Sequence, residues 1–264
     1  MTESGEKVWS TIAAIREKGP LVHSVTNLVS MDIMANMLLA VGASPVMAHA
    51  TEEVAAFAKM AGAVNINMGT LDAPWVESMQ AAASAAGRAG TPWLFDPVGV
   101  GATAYRNGVA ASLIAYKPSI IRGNASEILA LAGGTGGKGV DASHGVEEAH
   151  AVARDLAKRT GAVIAVTGAS DFVTDGARQA RIDNGHPMMA RVTATGCALT
   201  AVMGAAVAVA GEPFAAACHA LVAYGIAGEL AAQSAAGPGS FRVGFLDAIA
   251  NLDRATLDAR IRLA

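Results

Sequence analysis

Short apolar runs alternate with alanine-rich amphipathic stretches along most of the chain. The runs predict six buried strands, at residues 21–24, 45–48, 63–68, 93–96, 120–122 and 163–167. A helix-like segment follows each run, and this alternation is typical of a parallel sheet with helices on both faces. The expected fold class is therefore α/β, with three layers in the order helices, mostly parallel sheet, helices.

The segments between the strands carry apolar residues at helical spacing. This spacing predicts amphipathic helices over residues 33–41, 52–60 and 146–156. Two short runs, 171–176 and 178–182, flank a glycine-containing turn, which predicts an antiparallel hairpin and so a mixed edge to the sheet. The most apolar stretch, 198–210, is shorter than the roughly 20 residues of a membrane span and predicts a buried helix.

Composition narrows the classes of partner. The 264 residues are 53% hydrophobic and 16% charged, with a formal net charge of -3 and no run of lysine or arginine. This leaves no basic surface for nucleic acid or an anionic membrane, and the length suits one domain over residues 1–264. The first seven residues include acidic side chains and no apolar core like that of a signal peptide, and the two cysteines, Cys197 and Cys218, suit free thiols, so a cytoplasmic location is expected.

One glycine-rich segment, residues 133–139, resembles a phosphate loop. It lacks the spacing of a Walker motif and does not lead directly from a strand into a helix. We therefore expect a flexible loop there and look for phosphate binding elsewhere.

The strongest chemical signal is the small-residue turn 193–197, which leads into the long apolar helix. Free backbone amides at a helix start form an anion site, and Gly196 allows a phosphate to approach the backbone closely. The dipole adds about half a positive charge there. The alternative is a tight turn that Thr195 caps. Cys197 directly follows Gly196, and its thiol is expected to be more acidic than a solvated one, because the helix dipole favours the thiolate.

Polar residues follow several of the predicted strands, at the edge where α/β sheets bind ligands. Asp96 ends one strand and could hold magnesium directly or through water, although a turn before Pro97 is the alternative. Arg122 ends another predicted strand. Its planar guanidinium suits phosphate oxygens, so we favour contact with a nucleotide phosphate over a surface ion pair. Thr167 and Gly168 form a further strand exit that can bind phosphate.

A second acidic residue follows Arg122. Asn124 and Glu127 have the spacing of a capping box, so helix initiation is one interpretation of both residues. The other is metal binding, because two acidic strand ends favour a cation.

Several motifs together resemble the hydroxyethylthiazole kinase family. They lie at 25–27, 44–48, 67–71, 96–102 and 122–127, and the similarity covers most of the chain. Ribokinase-like kinases carry an Asp at the helix start where this chain has Cys197, and replacement of that Asp by Cys is characteristic of the hydroxyethylthiazole kinases. The resemblance implies a ribokinase-like fold and transfer of phosphate from ATP, with Mg²⁺, to the primary hydroxyl of 4-methyl-5-(2-hydroxyethyl)thiazole.

The resemblance also implies roles for individual residues. Asn27, Met47 and Ala194 match the acceptor-binding positions, although the family often has glycine at the last of these. Arg122, Thr167, Gly168 and Asn124 match positions near ATP, and Asp96 and Glu127 match positions near magnesium. Gly196 and Cys197 match the catalytic turn, where Cys197 either accepts a proton or only packs beneath the bound ring. A homotrimer with active sites at subunit interfaces is implied as well.

Two other functions remain open from the sequence. One is a dehydratase of hydrated nicotinamide cofactors, which shares the fold but normally keeps Asp in the position of Cys197. The other is a nucleotide- or vitamer-binding module without catalysis, because a fold and a pocket do not prove turnover.

Overall fold

A single mixed sheet forms the centre of the molecule. The computed structural model describes residues 5–133 and 142–264, without the side chains of 142–147. Residues 134–139 of the glycine-rich segment, expected to be a flexible loop, lie outside the described residues. The sheet has eight strands: β1 (Leu21–Val25), β2 (Ser44–Val46), β3 (Ala63–Asn67), β4 (Trp93–Asp96), β5 (Ile120–Asn124), β6 (Val163–Thr167), β7 (Asp171–Thr174) and β8 (Gln179–Ile182).

The strand order is β2-β1-β3-β4-β5-β6-β7-β8. Strands β1 to β6 pair in parallel, whereas β7 and β8 form the predicted antiparallel hairpin at one edge. In the parallel register Asn67 of β3 lies beside Asp96 of β4, and Asn124 of β5 lies beside Thr167 of β6. The carboxyl ends of these strands therefore meet along one edge of the sheet.

Helices cover both faces of the sheet and complete the predicted three layers. The helices are α1 (Gly5–Lys18), α2 (Met31–Val41), α3 (Val54–Met60), α4 (Ala73–Ala89), α5 (Ala104–Ile114), α6 (Ala125–Leu131), α7 (Ala142–Thr160), α8 (Thr195–Ala210), α9 (Pro213–Ser234), α10 (Pro238–Ala250) and α11 (Arg254–Arg260), with a 3₁₀ helix at Pro187–Arg191. One apolar core lies under α1, α2 and α8 to α11, and a second lies under α3 to α7.

The predicted elements are confirmed with small changes at their ends. Strand β2 has three residues and ends at Val46, so Met47 and Ala48 lie beyond it. Strand β5 continues to Asn124, which both ends the strand and caps α6. The apolar stretch predicted as a buried helix is α8, which begins at Thr195.

Small residues let α8 lie close to the sheet. A Cβ atom built on Gly204 would meet Val22 Cγ1 at 3.2 Å and Leu94 Cδ1 at 3.8 Å, so the helix backbone is almost in van der Waals contact with β1 and β4. Helix α9 packs on α8 and is 22 residues long, apolar enough by composition to cross a membrane, yet 83% of its apolar window is buried inside the protein. We interpret α9 as a core helix.

Candidate active site

Five polar side chains form a row across the carboxyl ends of neighbouring strands. From β1 to β6 they are Asn27, Asn67, Asp96, Arg122 and Thr167, and we call them the strand-end row. Asn27 Nδ2 donates to Asn67 Oδ1 at 2.7 Å, and Asn67 Nδ2 donates to Asp96 Oδ2 at 2.8 Å. Arg122 Nη1 lies 3.7 Å from Asp96 Oδ1, and Arg122 Nη2 donates to Thr167 Oγ1 at 2.7 Å. One polar network thus joins sites that are distant in sequence.

The first turn of α8 lies over this row. Asn27 Nδ2 lies 3.6 Å from Cys197 Sγ, and Thr200 Oγ1 donates to Asp96 Oδ2 at 3.1 Å. A Cβ atom on Gly196 would lie only 2.6 Å from Arg122 Nη1, so the guanidinium occupies the space that the glycine leaves. The structure therefore brings the predicted residues Cys197, Gly196 and Arg122 together.

The helix start is held by contacts from outside the first turn. Tyr224 Oη donates to the Thr195 carbonyl at 2.7 Å, and Thr195 Oγ1 donates to the Met189 carbonyl at 2.9 Å. The residue before the helix, Ala194, has φ 61° and ψ 13°, a left-handed conformation that costs a residue with a Cβ about 1–2 kcal/mol. Ala194 is the N-cap residue and its methyl group makes no hydrogen bond, while the Thr195 hydroxyl donates to the carbonyls of Met189 and Val192, so Thr195 does not cap the helix as the alternative interpretation required. The backbone amides of the first turn thus have no side-chain cap.

Asp96 is fully buried at the centre of the row. Its Oδ2 atom accepts two hydrogen bonds, whereas Oδ1 has no hydrogen-bond donor among residues 5–133 and 142–264. Burial raises the pKa of Asp96 to about 6, and Glu127 adds to the rise while Arg122 opposes it. A buried carboxylate with one free oxygen is a costly feature that a bound cation would offset.

The expected acidity of Cys197 is wrong. Burial raises the pKa of its thiol to about 11, from an ordinary value of 9.0, and the negative charge of Asp96 raises it further. The amides of Asn27 and Asn67 and the charge of Arg122 lower the pKa by less. Desolvation therefore outweighs the helix dipole, and Cys197 is a neutral thiol near pH 7.

Asn124 and Glu127 form the predicted capping box of α6. Asn124 Oδ1 accepts from the Glu127 amide at 3.0 Å, and Glu127 Oε2 accepts from the Asn124 amide at 2.9 Å. Glu127 Oε1 also accepts from the Gly99 amide at 3.0 Å, which ties the loop after β4 to α6. Each carboxylate oxygen retains a further lone pair, so the capping role does not preclude contact with a cation.

A cavity of about 520 Å³ opens beside the row. The predicted phosphate-side residues all line it: Arg122, Asn124, Thr167, Gly168 and Gly196. Its opposite wall comes from the 3₁₀ helix and from α9. A further lining residue, Asp171, accepts a hydrogen bond from the Gly168 amide at 2.9 Å, and burial raises its pKa to about 6. The volume and the mixed apolar and polar lining are those of a small-molecule site.

The predicted acceptor residues lie outside this cavity's lining. Asn27 is buried and adjoins Cys197, with its Oδ1 atom accepting from the amides of Val29 and Ser30, both at 3.0 Å. Met47 and Ala194 are partly buried and pack against the core under α8. Within the row, Asn27 lies at one end and contacts Cys197 of α8, whereas Arg122 and Thr167 lie toward the other end.

Sequence reasoning missed four residues of the site. Asn67 and Thr200 bond to Asp96, and Tyr224 holds the start of α8. Arg106 of α5 donates to the carbonyls of Met68, Val98 and Gly69 at 2.6, 2.7 and 2.8 Å and so clamps the loops after β3 and β4. Asn67 ends an apolar strand just as Asp96 does, and that signal could have identified it. No local pattern points to the other three.

Comparisons with known proteins identify the family of this chain. The sequence model of the Hydroxyethylthiazole kinase family matches residues 12–255. The chain is 57% identical over 255 residues to hydroxyethylthiazole kinase of Rhizobium johnstonii, with 96% of each chain covered. It is 56% identical over 250 residues to the enzyme of the same name from Cereibacter sphaeroides, with 94% of this chain and 95% of the relative covered.

Solved structures extend the comparison to the fold. Hydroxyethylthiazole kinase from Pyrococcus horikoshii OT3 superposes with a TM-score of 0.91 at 41% identity, and 98% of each chain is covered. Pyridoxal kinase from Staphylococcus aureus, at 17% identity and a TM-score of 0.57 over 80% of this chain and 88% of that one, shares the fold alone. The predicted ribokinase-like fold is confirmed, and the match over residues 12–255 shows that this chain belongs to the hydroxyethylthiazole kinase family.

Proposed function

We propose that the protein transfers the γ-phosphoryl group of ATP to the primary hydroxyl of 4-methyl-5-(2-hydroxyethyl)thiazole. The products are ADP and the thiazole phosphate, which serves thiamine biosynthesis and salvage. One observation carries the proposal: a single polar row joins the predicted acceptor residue Asn27 to the predicted phosphate residue Arg122, beneath the start of a helix that no side chain caps. Phosphoryl transfer depends almost entirely on such positioning and on electrostatic stabilisation.

The nucleotide side of the site is the cavity beside Arg122. The guanidinium of Arg122 forms a hydrogen bond with Thr167 and an ion pair with Asp96. Its Nε atom has no hydrogen-bond partner among the described residues. We assign Arg122, Asn124, Thr167 and Gly168 to ATP, because a planar cation and strand-end amides suit phosphate oxygens. The uncapped amides near Gly196 would stabilise charge on the transferring group.

Asp96 and Glu127 fit a magnesium ion. The Oδ1 atom of Asp96 is buried without a hydrogen-bond donor among residues 5–133 and 142–264, and Mg²⁺ binds through one or two carboxylates together with substrate phosphates. No group of three or more acidic, histidine or cysteine side chains suited to a metal occurs in the part of the chain that the structure describes. When bound, Mg²⁺ neutralises phosphate charge.

On the acceptor side, Asn27, Met47 and Ala194 would position the thiazole alcohol with its hydroxyl beside Cys197. The hydroxyl oxygen attacks the γ-phosphorus while the bond from that phosphorus to the bridging β-phosphate oxygen breaks, ADP leaves, and the hydroxyl proton passes to an oxygen of the transferring phosphoryl group. Cys197 is a neutral thiol, because its pKa is raised to about 11, so we assign it packing against the acceptor in preference to proton abstraction. The loose transition state of phosphoryl transfer makes little demand on a base.

We further propose a cytoplasmic homotrimer whose active sites lie at subunit interfaces. Leu28 and Val29 are 66% and 59% exposed and directly follow Asn27, so apolar surface borders the proposed acceptor side. The described cysteines are free thiols, as expected in a reducing compartment. Analytical ultracentrifugation tests the assembly, and a monomer would contradict it.

The test of the activity is incubation of the purified protein with ATP, Mg²⁺ and the thiazole alcohol, followed by mass spectrometry of the phosphate ester. We expect one phosphate ester and one ADP per turnover. Hydroxymethylpyrimidine serves as the alternative acceptor in a parallel reaction. Phosphorylation of the pyrimidine alone would contradict the substrate assignment, and no transfer to either alcohol would contradict the kinase assignment.

A further inference from the structure

Asn67 touches both halves of the strand-end row. It is the last residue of β3 and is 1% exposed. Its oxygen accepts from Asn27 Nδ2 at 2.7 Å and its nitrogen donates to Asp96 Oδ2 at 2.8 Å. We propose that Asn67 is a positioning residue that orients the acceptor-side Asn27 and the cation-side Asp96 together. This inference rests on the proposed function.

The amide of Asn67 has one permitted orientation. Its Oδ1 atom faces two donors, Asn27 Nδ2 and the Gly69 amide at 3.0 Å, whereas its Nδ2 atom faces a carboxylate. A rotated amide would place donor against donor and oxygen against oxygen. The amide of asparagine supplies an acceptor in one direction and a donor in the other, as these two neighbours require.

On one side, this orientation determines which oxygen of Asp96 is available. Asn67 and Thr200 both donate to Asp96 Oδ2. These two bonds fix the carboxylate so that its other oxygen, Oδ1, faces Arg122. Loss of the Asn67 donor would allow the carboxylate to rotate and would leave a buried oxygen less well bonded. Asn67 therefore acts on the phosphate side through Asp96.

On the other side, the same amide holds Asn27. The Oδ1 atom of Asn27 accepts from two backbone amides, so its Nδ2 atom must point toward Asn67 and Cys197. The side chain of Asn27 also limits the space beside it, since a Cβ atom on Gly69 would lie 2.7 Å from Asn27 Nδ2. Removal of the Asn67 oxygen would free Asn27 to turn away from the acceptor alcohol.

Two matched controls separate these roles. Thr200 Oγ1 donates to Asp96 Oδ2 and to the Gly196 carbonyl, and neither bond involves Asn27, so Thr200→Val disturbs the phosphate side. Asn65 lies two residues before Asn67 on β3, so both side chains lie on the same face of the sheet. Asn65 is equally buried, and both its amide atoms lack hydrogen-bond partners among the residues described. Asn65→Leu therefore repeats the chemical change of Asn67→Leu without breaking the row.

The experiment measures the Kd of the thiazole alcohol by calorimetry without nucleotide, and kcat with saturating ATP and Mg²⁺. For Asn67→Leu we expect Kd to rise about tenfold or more and kcat to fall about a hundredfold, because bonds on both sides of the amide are lost. Thr200→Val should lower kcat with Kd within about twofold, and Asn65→Leu should change neither by more than about twofold. Thermal unfolding and circular dichroism show that each variant is folded, and Asn67→Ala replaces Asn67→Leu if the latter does not fold.

An unchanged Kd in Asn67→Leu, or equal changes in Asn65→Leu, would overturn the inference. If wild-type protein binds and phosphorylates no thiazole alcohol, the proposed function fails instead.

Discussion

The two glycines of α8, at its start and in its middle, remove a side chain for different reasons. Gly196 leaves space for the charged end of Arg122, which a Cβ atom would approach to 2.6 Å. Gly204 leaves space for Val22 on β1, which a Cβ atom would approach to 3.2 Å. The start of the helix therefore borders a polar site, whereas the middle borders a close-packed apolar core. A small residue in the same helix can serve chemistry at one position and packing at another.

The largest expected effect is at the helix start. Gly196→Ala would displace the guanidinium of Arg122 from its place above Asp96 and Thr167, and we expect kcat/KM to fall about 10²–10³-fold, as when a transition-state donor is lost. The unfolding free energy should change by less than about 1 kcal/mol, since an arginine end moves easily and alanine favours the helix. Steady-state kinetics and urea unfolding measure both. Near wild-type activity would show that Arg122 needs no such space.

The middle of the helix should respond in the opposite way. Gly204→Leu would force side-chain atoms against β1 and β4, and we expect a loss of about 1–3 kcal/mol in unfolding free energy from overpacking. The folded variant should retain its kcat within about twofold, because the strand-end row contacts the start of α8 and not its middle. Urea unfolding followed by circular dichroism gives the first quantity and the phosphate-ester assay gives the second. A variant that is stable but inactive would contradict the division of α8 into two parts.

The smallest expected effect concerns Cys197, which lies at the start of α8 beside Asn27 and is also part of the apolar core under this helix. Cys197→Ser should lower kcat less than about tenfold, and kcat should show no cysteine ionisation below pH 9, because the thiol stays protonated. Its folded pKa of about 11 exceeds the ordinary 9.0, so the stabilisation it provides is complete below pH 9 and is lost as the pH rises through 11.

Melting temperatures of the wild type and of Cys197→Ser between pH 7 and pH 11 measure this dependence. The wild type should lose stability relative to the serine variant only above about pH 9. The Asp variant Cys197→Asp adds a further comparison: a turnover equal to or above that of the wild type would restore proton acceptance as the role of position 197.

Sequence periodicity predicted the parallel strands, the hairpin and the covering helices, because burial imposes a visible pattern on each element. Residues at strand ends, such as Asp96, Arg122 and Thr167, were predictable for the same reason. Thr200 was not, because its bond to Asp96 depends on how α8 lies across the sheet. The pKa of Cys197 was predicted in the wrong direction, since the helix dipole can be inferred from sequence but the depth of burial cannot. The substrate assignment came from family resemblance.

The clamp formed by Arg106 has a consequence for how this site can evolve. Arg106 binds the carbonyls of Met68, Gly69 and Val98, and every amino acid supplies a carbonyl. Side chains in the loops after β3 and β4 can therefore be exchanged without loss of the bonds that fix the course of the backbone there. Gly69 is the exception, because any larger residue would collide with Asn27. The side chains of these two loops can thus diversify by mutation while the path of the backbone is inherited unchanged.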